Sequence, residues 1–325
     1  MESNKDDATV GTLGELIGFS APMQRVYSAV HKVSAYPFSV LICGERGTGK
    51  ESAARSIHAL GPRKSKPFIS LDCTSLSSTL FEAELFGYEK GAFVGASQMK
   101  WGLLSLVAEG TLFLREIAGL SLGLQAKLLR TLEEGVFTPL GATASQPFKA
   151  RIIAATHRDL RAQIKEGAFR EDLYLRLNVA QIDMPPLRDR RRDIPLLVDV
   201  FIDRYARQKP QAEFSVAAMS CLLGYDWPGN VRELEDTVRQ AVSAASGPIV
   251  EVEDLNMILA GRPIGEPGLS SGLDALLLDE FERNALVRAL RESHGNESVA
   301  AGTLGIGPNT FRRRLKYYGL MAPGN

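Results

Sequence analysis

The chain has 325 residues, 45% of them apolar and 23% charged, and its 38 basic residues balance its 38 acidic ones. This composition is ordinary for a globular protein, and the zero net charge excludes an overall basic field, so any DNA contact requires a local basic patch. Three widely spaced cysteines, a polar N-terminus and no long apolar run predict a cytoplasmic protein rather than a disulfide-rich or membrane protein.

Five short apolar runs alternate with amphipathic helical patterns over the first part of the chain. The runs cover residues 38–43, 67–71, 111–114, 151–155 and 179–184, and clear helical patterns cover 51–60 and 122–135. Continuous apolar strands separated by helices are typical of a parallel sheet that helices cover on both faces. The pattern therefore predicts an α/β fold.

Beyond the α/β region the pattern changes twice. From about residue 191 to 262 it is only helical, which predicts a smaller α subdomain, and residues 261–272 are rich in Gly, Pro and Ser, as linkers are. The predicted domains are an N-terminal tail (1–13), the α/β domain (14–190), the helical subdomain (191–260), the linker (261–272) and a helical C-terminal domain (273–325).

A glycine-rich loop follows the first predicted strand and precedes a helix. Its sequence is GERGTGKE, and its residues are Gly44, Glu45, Arg46, Gly47, Thr48, Gly49, Lys50 and Glu51. This is the phosphate-binding pattern in its required context, in which backbone N–H groups and the helix N-terminus surround phosphate and Lys50 reaches its oxygens. Glu51 stands where a Ser or Thr usually offers a hydroxyl to Mg²⁺. The alternative is a chance glycine-rich turn.

The segment His294–Leu320 has the pattern of a helix-turn-helix. The residues that define it are Val299, Ala300 and Leu304 at helical spacing, Gly305 at the turn, Pro308 at the start of the second helix, and Phe311 and Leu315 on its core face. The preceding pattern, 273–294, is apolar on one face and predicts dimerisation, and hence a palindromic DNA site.

The second helix of this pattern carries the predicted DNA contacts. Those predicted to face base edges are Asn309, Thr310 and Arg313, and those predicted to meet phosphates are Arg312, Arg314 and Lys316. The alternative is a basic amphipathic hairpin that has no role in DNA binding.

Five motifs along the chain, taken together, indicate a family of proteins. They are ELIGFSAPMQ (15–24), GERGTGKE (44–51), ELFGYEKGAFVGA (84–96), FREDLYLRLNV (169–179) and WPGNVRELE (227–235). With them, the chain closely resembles the bacterial enhancer-binding proteins, the AAA+ activators of sigma-54 RNA polymerase, over about residues 14–325. The resemblance implies an AAA+ P-loop NTPase with a helical lid and a C-terminal Fis-type helix-turn-helix domain. It also implies a hexameric ring that binds ATP and Mg²⁺, binds DNA upstream of a promoter, and remodels the closed sigma-54 polymerase complex.

The resemblance also implies roles for individual residues. Lys50 would bind phosphate, Ile17 and Gly18 would border the adenine, Glu116 would polarise the attacking water, and Thr156 would be the first sensor. Arg170 and Arg176 would reach a neighbouring subunit's γ-phosphate, and Arg232 would be the second sensor; the alternative for these arginines is surface ion pairing with Glu171, Asp172 and Glu233. The loop that would engage sigma-54 consists of Gly91, Ala92, Phe93, Val94, Gly95 and Ala96.

Three positions depart from the family pattern. Arg115 replaces the aspartate that helps to hold Mg²⁺, Asp72 replaces an asparagine that contacts the catalytic glutamate, and Val94 replaces a threonine. Arg115 is expected either to contact phosphates or to pair with a nearby acid. Relative to the family pattern, Arg115 adds positive charge and Asp72 adds negative charge, which suggests that the two residues compensate each other. These changes leave open a second function: a DNA-bound regulator, or a subunit of a mixed ring, that binds ATP with little hydrolysis or sigma-54 engagement.

Only about 13 residues precede the predicted ATPase domain. This length leaves no room for an N-terminal regulatory domain in the sequence. Control is therefore expected from a separate protein, from the expression level, or from assembly with a related activator.

Overall fold

The computed structural model describes residues 12–205, 212–245 and 247–258, and shorter stretches between residues 283 and 320. The shorter stretches are 283–284, 286–291, 293–303, 311–312, 314–315, 318 and 320. The chain divides into two compact units, and the division falls between Pro186 and Leu187. The predicted linker, 261–272, lies outside the described residues.

The first unit is built on a five-stranded parallel sheet. Its strands are β1 (Val40–Cys43), β2 (Phe68–Asp72), β3 (Thr111–Arg115), β4 (Arg151–Thr156) and β5 (Ala180–Asp183). Their order across the sheet is β5-β1-β4-β3-β2, and every neighbouring pair is parallel. The predicted parallel sheet is confirmed, and each strand lies within two residues of its predicted apolar run.

Helices cover both faces of the sheet. In chain order they are α1 (Ala21–Ser34), α2 (Lys50–Leu60), α3 (Ser78–Phe86), α4 (Leu103–Val107), α5 (Leu122–Glu134), α6 (Leu160–Lys165) and α7 (Glu171–Leu177), with a 3₁₀ turn at Ile117–Gly119. Successive residues of a strand point to opposite faces, so Leu41 and Leu112 join one core whereas Ile42 and Phe113 join the other. The strands are mostly apolar, as expected for a parallel sheet that helices cover on both faces.

The described part of this unit also contains three short antiparallel ladders. They pair Thr12–Leu13 with Leu16–Ile17, Gly87–Tyr88 with Lys100–Trp101, and Val136–Phe137 with Gln146–Pro147. Two-residue strands are too short to show an alternating pattern, which is why the sequence did not predict them.

Arg151 begins strand β4, and its guanidinium group is buried against the end of α1. It donates to the carbonyls of Val33 (2.8 Å), Phe38 (3.2 Å) and Ser34 (3.3 Å). Val33 and Ser34 are the last residues of α1, where carbonyls lack partners within the helix and the dipole favours a cation. Burial, and then the charge of Arg63, lowers the pKa of Arg151 to about 10, so the group stays charged at neutral pH.

The second unit is mostly helical. Its helices are α8 (Ile194–Tyr205), α9 (Val216–Gly224), α10 (Asn230–Ala244), α11 (Val252–Ile258) and α12 (Glu297–Thr303), with a 3₁₀ segment at Leu187–Asp193. The prediction that residues 191–262 are only helical is wrong in one detail. Glu213–Phe214 and Ile249–Val250 form a short parallel ladder, again too short for a period of two to be visible.

The WPGN motif fixes the start of α10. Trp227 is fully buried with a φ of 51°, and its Nε1 donates to the Leu222 carbonyl at 2.8 Å. Asn230 has a φ of 56°, and its Oδ1 accepts the Leu187 N–H at 2.7 Å. The turn therefore places exposed Arg232 in the first turn of α10.

The C-terminal part of this unit has its own small core. Its buried members are Leu286, Ala289, Ala300, Ala301, Phe311 and Leu315. The predicted core positions Phe311 and Leu315 are confirmed, at 0% and 1% exposure. Val299, which the helical spacing placed with Ala300, is instead 55% exposed. Leu304, Gly305 and Pro308 lie outside the described residues. None of the helices described is long and apolar enough to span a bilayer.

Candidate functional site

The glycine-rich loop connects β1 to α2 in a backbone shape that its glycines permit. Gly47 and Gly49 have φ values of 77° and 99°, and Gly49 caps the N-terminus of α2. A Cβ on Gly44 would stand 2.8 Å from the Met184 carbonyl. The Lys50 ammonium donates to the carbonyls of Gly44 (2.7 Å) and Glu45 (2.9 Å). The loop thus has the curvature and the charge to bind a chain of phosphates.

Thr156 ends the neighbouring strand β4 and is tied to this loop. Its carbonyl accepts the Gly44 N–H at 3.2 Å, and its buried Oγ1 accepts the Arg158 N–H at 3.0 Å. A cavity of about 440 Å³ opens beside these two residues, with Cys43 on its wall. Burial, and then the charge of Asp183, raises the pKa of the Cys43 thiol to about 11, so it stays protonated at neutral pH.

The segment predicted to border the adenine lies against α2. Leu16–Ile17 pairs with Thr12–Leu13, and the Ser56 hydroxyl of α2 donates to the Leu13 carbonyl at 2.9 Å. The Tyr27 hydroxyl donates to the Gly18 carbonyl at 2.7 Å. Ile17 and Gly18 are therefore held beside the helix that begins at Lys50.

Glu116 directly follows strand β3, in a left-handed backbone conformation with a φ of 54°. Its Oε1 lies 3.9 Å from the Lys50 ammonium, and its Oε2 accepts hydrogen bonds from the His157 ring and, at 3.4 Å, from the His157 N–H. Left-handed non-glycine residues at strand ends are concentrated at functional sites. The carboxylate is held close to the phosphate loop, where it can orient a water molecule.

His157 is the contact of Glu116 that the sequence prediction did not include. It follows Thr156 in the stretch IIAATHRDL, so the signal was its position directly after a predicted sensor. Asp72 stands where the family pattern has an asparagine that contacts the catalytic glutamate. Its carboxylate accepts from the Thr74 N–H (2.9 Å) and hydroxyl (2.6 Å).

Arg115 lies between two carboxylates. Its Nη1 is 3.1 Å from Glu51 Oε2, and its Nη2 is 3.3 Å from Asp72 Oδ2. Asp72 and Arg115 are direct neighbours on the parallel strands β2 and β3. The hypothesis that these two residues form a compensating pair agrees with this geometry, and Glu51 is an additional partner.

The electrostatics of the cluster follow from these contacts. Burial alone would raise the pKa of the Glu51 carboxyl, but hydrogen bonds from Arg55 and Arg115 outweigh it and lower that pKa. Burial opposes the shift at Asp72 as well, where hydrogen bonds from Thr74 and the charge of Arg115 lower the pKa. Both carboxylates are therefore ionised at neutral pH.

The residues present do not fit a Mg²⁺ site. Magnesium needs near-octahedral oxygen ligands, usually including one or two carboxylates. Both oxygens of Glu51 are engaged, by Arg55 at 2.9 Å and by Arg115, and both oxygens of Asp72 are engaged, by Thr74 and by Arg115. Within the described parts of the chain, no group of three or more metal-ligating His, Cys, Asp or Glu side chains is found.

The Arg115 cluster should make a small, pH-dependent contribution to stability. Glu51 and Asp72 have lowered pKa values in the folded protein, so the contribution is complete above their unfolded values and is lost as pH falls through the folded ones. We expect Arg115→Met to lower the melting temperature at pH 7 and to have a progressively smaller effect as pH falls below the ordinary range of carboxyl pKa values. Because Arg115 is 38% exposed, the cost should stay below about 1 kcal/mol. A melting-temperature difference that does not change with pH would contradict this origin.

The predicted trans-acting arginines lie at the two ends of α7, Arg170 as its N-cap and Arg176 in its last turn. Arg170 forms two hydrogen bonds with Asp172, at 2.7 and 3.1 Å, and Arg176 donates to the Leu132 carbonyl at 2.7 Å. The ion pair that had been the alternative for Arg170 is thus present within the chain. Arg232 lies in the second unit, and its role as a sensor stays a prediction.

The GAFVGA segment is a closed loop. The Gly91 N–H donates to the Ala96 carbonyl at 2.8 Å, and Gly91 and Gly95 have φ values of 84° and 105°. These conformations favour glycine and bring the loop ends together. The loop projects from the two-stranded ladder formed by Gly87–Tyr88 and Lys100–Trp101.

The loop exposes apolar side chains. Val94 is fully exposed, and Phe93 is 38% exposed with its ring packed edge-on against Tyr88, the ring centroids 4.9 Å apart. Phe93 is therefore not a core residue. An exposed apolar loop tip is suited to contact another protein.

Of the predicted DNA-binding residues, only Arg312 and Arg314 are among those described. Arg312 forms an ion pair with Glu297, the first residue of α12. Asn309, Thr310, Arg313 and Lys316 lie outside the described residues.

Comparisons with protein families match the chain in three consecutive parts. Residues 16–183 match the Sigma-54 interaction domain, residues 188–267 match the AAA+ ATPase lid domain, and residues 277–318 match the Fis family of bacterial regulatory proteins. The first match contains both the phosphate loop and the GAFVGA loop.

Known proteins resemble the chain over nearly its whole length. The transcriptional regulatory protein ZraR of Escherichia coli K12 is 42% identical over 302 residues, which cover 92% of this chain and 68% of ZraR. The DNA-binding transcriptional regulator NtrC of Azospirillum brasilense is 39% identical, covering 93% and 69%. The crystal structure of NtrX from Brucella abortus in complex with ATP superposes with a TM-score of 0.71 at 30% identity, covering 94% and 69%. The chain therefore belongs to the sigma-54-dependent family of bacterial transcriptional regulators, with an AAA+ domain, a lid and a Fis-type helix-turn-helix domain.

Proposed function

We propose that this protein activates transcription by binding DNA upstream of a promoter and remodelling the closed complex of sigma-54 RNA polymerase at the expense of ATP. One observation supports this most strongly. The first unit combines a phosphate loop, with Glu116 next to Lys50, and an exposed apolar loop at Phe93 and Val94. The family match includes both features within one domain. Because DNA and polymerase are in the cytoplasm, we place the protein there.

The chemical step would use groups that the fold already positions. Lys50 would hold the terminal phosphates, and Glu116 would orient the attacking water, kept in place by His157. Thr156, whose carbonyl accepts the Gly44 N–H, would register the state of the γ-phosphate. Preorganised charge of this kind lowers the barrier because it does not have to reorganise during the reaction.

Assembly into a ring, a hexamer by family resemblance, would complete the site. Arg170 and Arg176 would exchange Asp172 and the Leu132 carbonyl for the phosphates bound by a neighbouring subunit. Their present partners are exposed or neutral, so the exchange costs little. Arginine suits this role because its planar fork stays charged and binds phosphate bidentately. A mixed ring with a related activator would preserve the same contacts.

A short stretch of chain connects the nucleotide site to the polymerase-contacting loop. Strand β2 ends at Asp72, which contacts Arg115, and α3 then leads directly into the ladder strand Gly87–Tyr88 at the base of the loop. A rearrangement around Asp72 on hydrolysis would move α3 and the loop together. Hydrolysis of the nucleotide would thus be coupled mechanically to the loop that contacts sigma-54.

The decisive experiment is transcription from a sigma-54 promoter with purified polymerase. We expect this protein to produce transcripts with ATP and not with a non-hydrolysable analogue. Binding of the protein to upstream DNA without transcripts under either condition would instead favour the DNA-bound regulator that does not turn over ATP. Nothing in the comparisons favours that alternative.

Replacing Val94 by threonine should increase activation. The Val94 side chain is fully exposed at the loop tip, so the change adds a hydroxyl without disturbing the fold. One additional hydrogen bond to sigma-54 would strengthen binding by about fivefold. Binding of sigma-54 with a transition-state analogue of ATP, and transcript yield, measure the effect. Val94→Ala is the control, because it also changes the apolar surface but adds no hydroxyl; equal gains in both variants would exclude the hydroxyl as the cause.

A further inference from the structure

The Arg115 side chain lies beside carboxylates whose negative charges would otherwise repel a bound polyphosphate. It lies at the end of β3, next to Glu116, and pairs with Glu51, the residue that follows the phosphate-binding Lys50. The cluster thus has three cations, Lys50, Arg55 and Arg115, and three carboxylates, those of Glu51, Asp72 and Glu116. The charge of Arg115 acts within a few ångströms of the phosphate loop.

The charge of Arg115 can be compared with that of a divalent cation. Exchanging Arg115 for aspartate would change the charge of the cluster by two units, which is the charge of one Mg²⁺. An aspartate there would leave two cations against four carboxylates, and this net negative charge would oppose a polyphosphate unless a dication is added. With Arg115 the charges of the cluster cancel without a dication.

The guanidinium group also has hydrogen-bonding capacity left for a ligand. Each terminal nitrogen carries two N–H groups, and the structure gives Nη1 one partner, Glu51, and Nη2 one partner, Asp72. The side chain is 38% exposed, so the remaining N–H groups can reach a phosphate oxygen. Guanidinium and phosphate form strong, charge-assisted hydrogen bonds.

We infer that this site binds a nucleoside polyphosphate without a divalent cation, and that the Arg115 guanidinium supplies the positive charge. The ligand is ATP or ADP in its metal-free form. Carboxylate oxygens that would hold the metal are engaged by Arg115, Arg55 and Thr74. The inference rests on the proposed nucleotide-binding function and specifies the charge of the ligand.

The test compares the affinity of the full chain for a fluorescent ATP analogue, methylanthraniloyl-ATP, in magnesium and in EDTA. For the native protein we expect the two dissociation constants to agree within about threefold. For Arg115→Asp we expect binding to weaken at least about tenfold in EDTA and to recover when magnesium is added. Binding of Mn²⁺ to the ADP-loaded protein, followed by electron paramagnetic resonance, should be weak in the native protein and clear in the variant.

Two further variants make the comparison specific. Lys66→Asp carries the same change of net charge and also removes an ion pair to a glutamate, but this pair with Glu109 is exposed and outside the cluster, so its ratio of affinities should match that of the native protein. Arg115→Asp combined with Asp72→Asn avoids placing two aspartates side by side, and it provides the reversed metal dependence if the single variant unfolds.

The native protein alone decides the main point. Binding in magnesium and its loss in EDTA would overturn this inference and leave the proposed function intact. An absence of binding in both conditions would overturn the proposed nucleotide site and this inference with it.

Discussion

Replacing Glu116 by glutamine is expected to lower the rate of ATP hydrolysis by about a hundredfold or more, with nucleotide affinity changed by less than about threefold. The carboxylate lies 3.9 Å from the Lys50 ammonium and accepts two hydrogen bonds from His157. An amide keeps the size of the side chain but loses the negative charge that orients and polarises water. Steady-state phosphate release and binding of methylanthraniloyl-ATP measure the two quantities separately.

The control for this prediction is Glu109→Gln. Glu109 makes exposed ion pairs with Lys66 and Lys149, so its replacement removes a carboxylate from the surface of the same unit. Hydrolysis by this variant should equal that of the native protein. If Glu116→Gln keeps more than about half of the native rate, Glu116 does not act on water and the proposed chemical step is wrong.

Replacing Arg151 by leucine is expected to reduce the free energy of unfolding by about 3 kcal/mol. The guanidinium group is buried and donates to the carbonyls of Val33, Ser34 and Phe38. Leucine retains apolar volume but removes the donor of the Ser34 and Phe38 carbonyls and leaves the Val33 carbonyl with the Tyr36 N–H alone. Urea unfolding, followed by circular dichroism, measures the loss.

Arg63→Leu provides the matched comparison. Arg63 also donates to three backbone carbonyls, those of Glu109, Gly110 and Lys149, but two of these hydrogen bonds are exposed. Water can replace them, so the cost should be at most about half of that at Arg151. Equal losses at the two positions would show that burial does not determine the cost.

The sequence alone predicted the parallel sheet because its strands are short, mostly apolar runs separated by helical patterns. It predicted the phosphate loop because the order of strand, glycines, lysine and helix along the chain determines the shape of the loop. It also placed Phe311 and Leu315 in a core, since a spacing of four residues puts two side chains on one helix face.

Contacts between distant parts of the chain were harder to predict. The pairing of Arg115 with Asp72 could be proposed from their opposite charges, whereas its pairing with Glu51, 64 positions away, depends on where α2 meets the sheet. The His157 contact to Glu116 requires the ends of β3 and β4 to be neighbours, which becomes known only from the strand order. The burial of Arg151 follows from α1 ending beside β4, and no local pattern carries that information.

The register that places Asp72 beside Arg115 has a consequence for how this sequence can diverge. A change of Arg115 to aspartate in one step would place two aspartates side by side on neighbouring strands and leave Glu51 without this partner, and selection would oppose it. A prior change of Asp72 to asparagine is milder, because Arg115 keeps Glu51 as a partner. A path from this sequence to an aspartate at position 115 would therefore change position 72 first, and the reverse path would change position 115 first, so that the order of the two substitutions is set by the sheet.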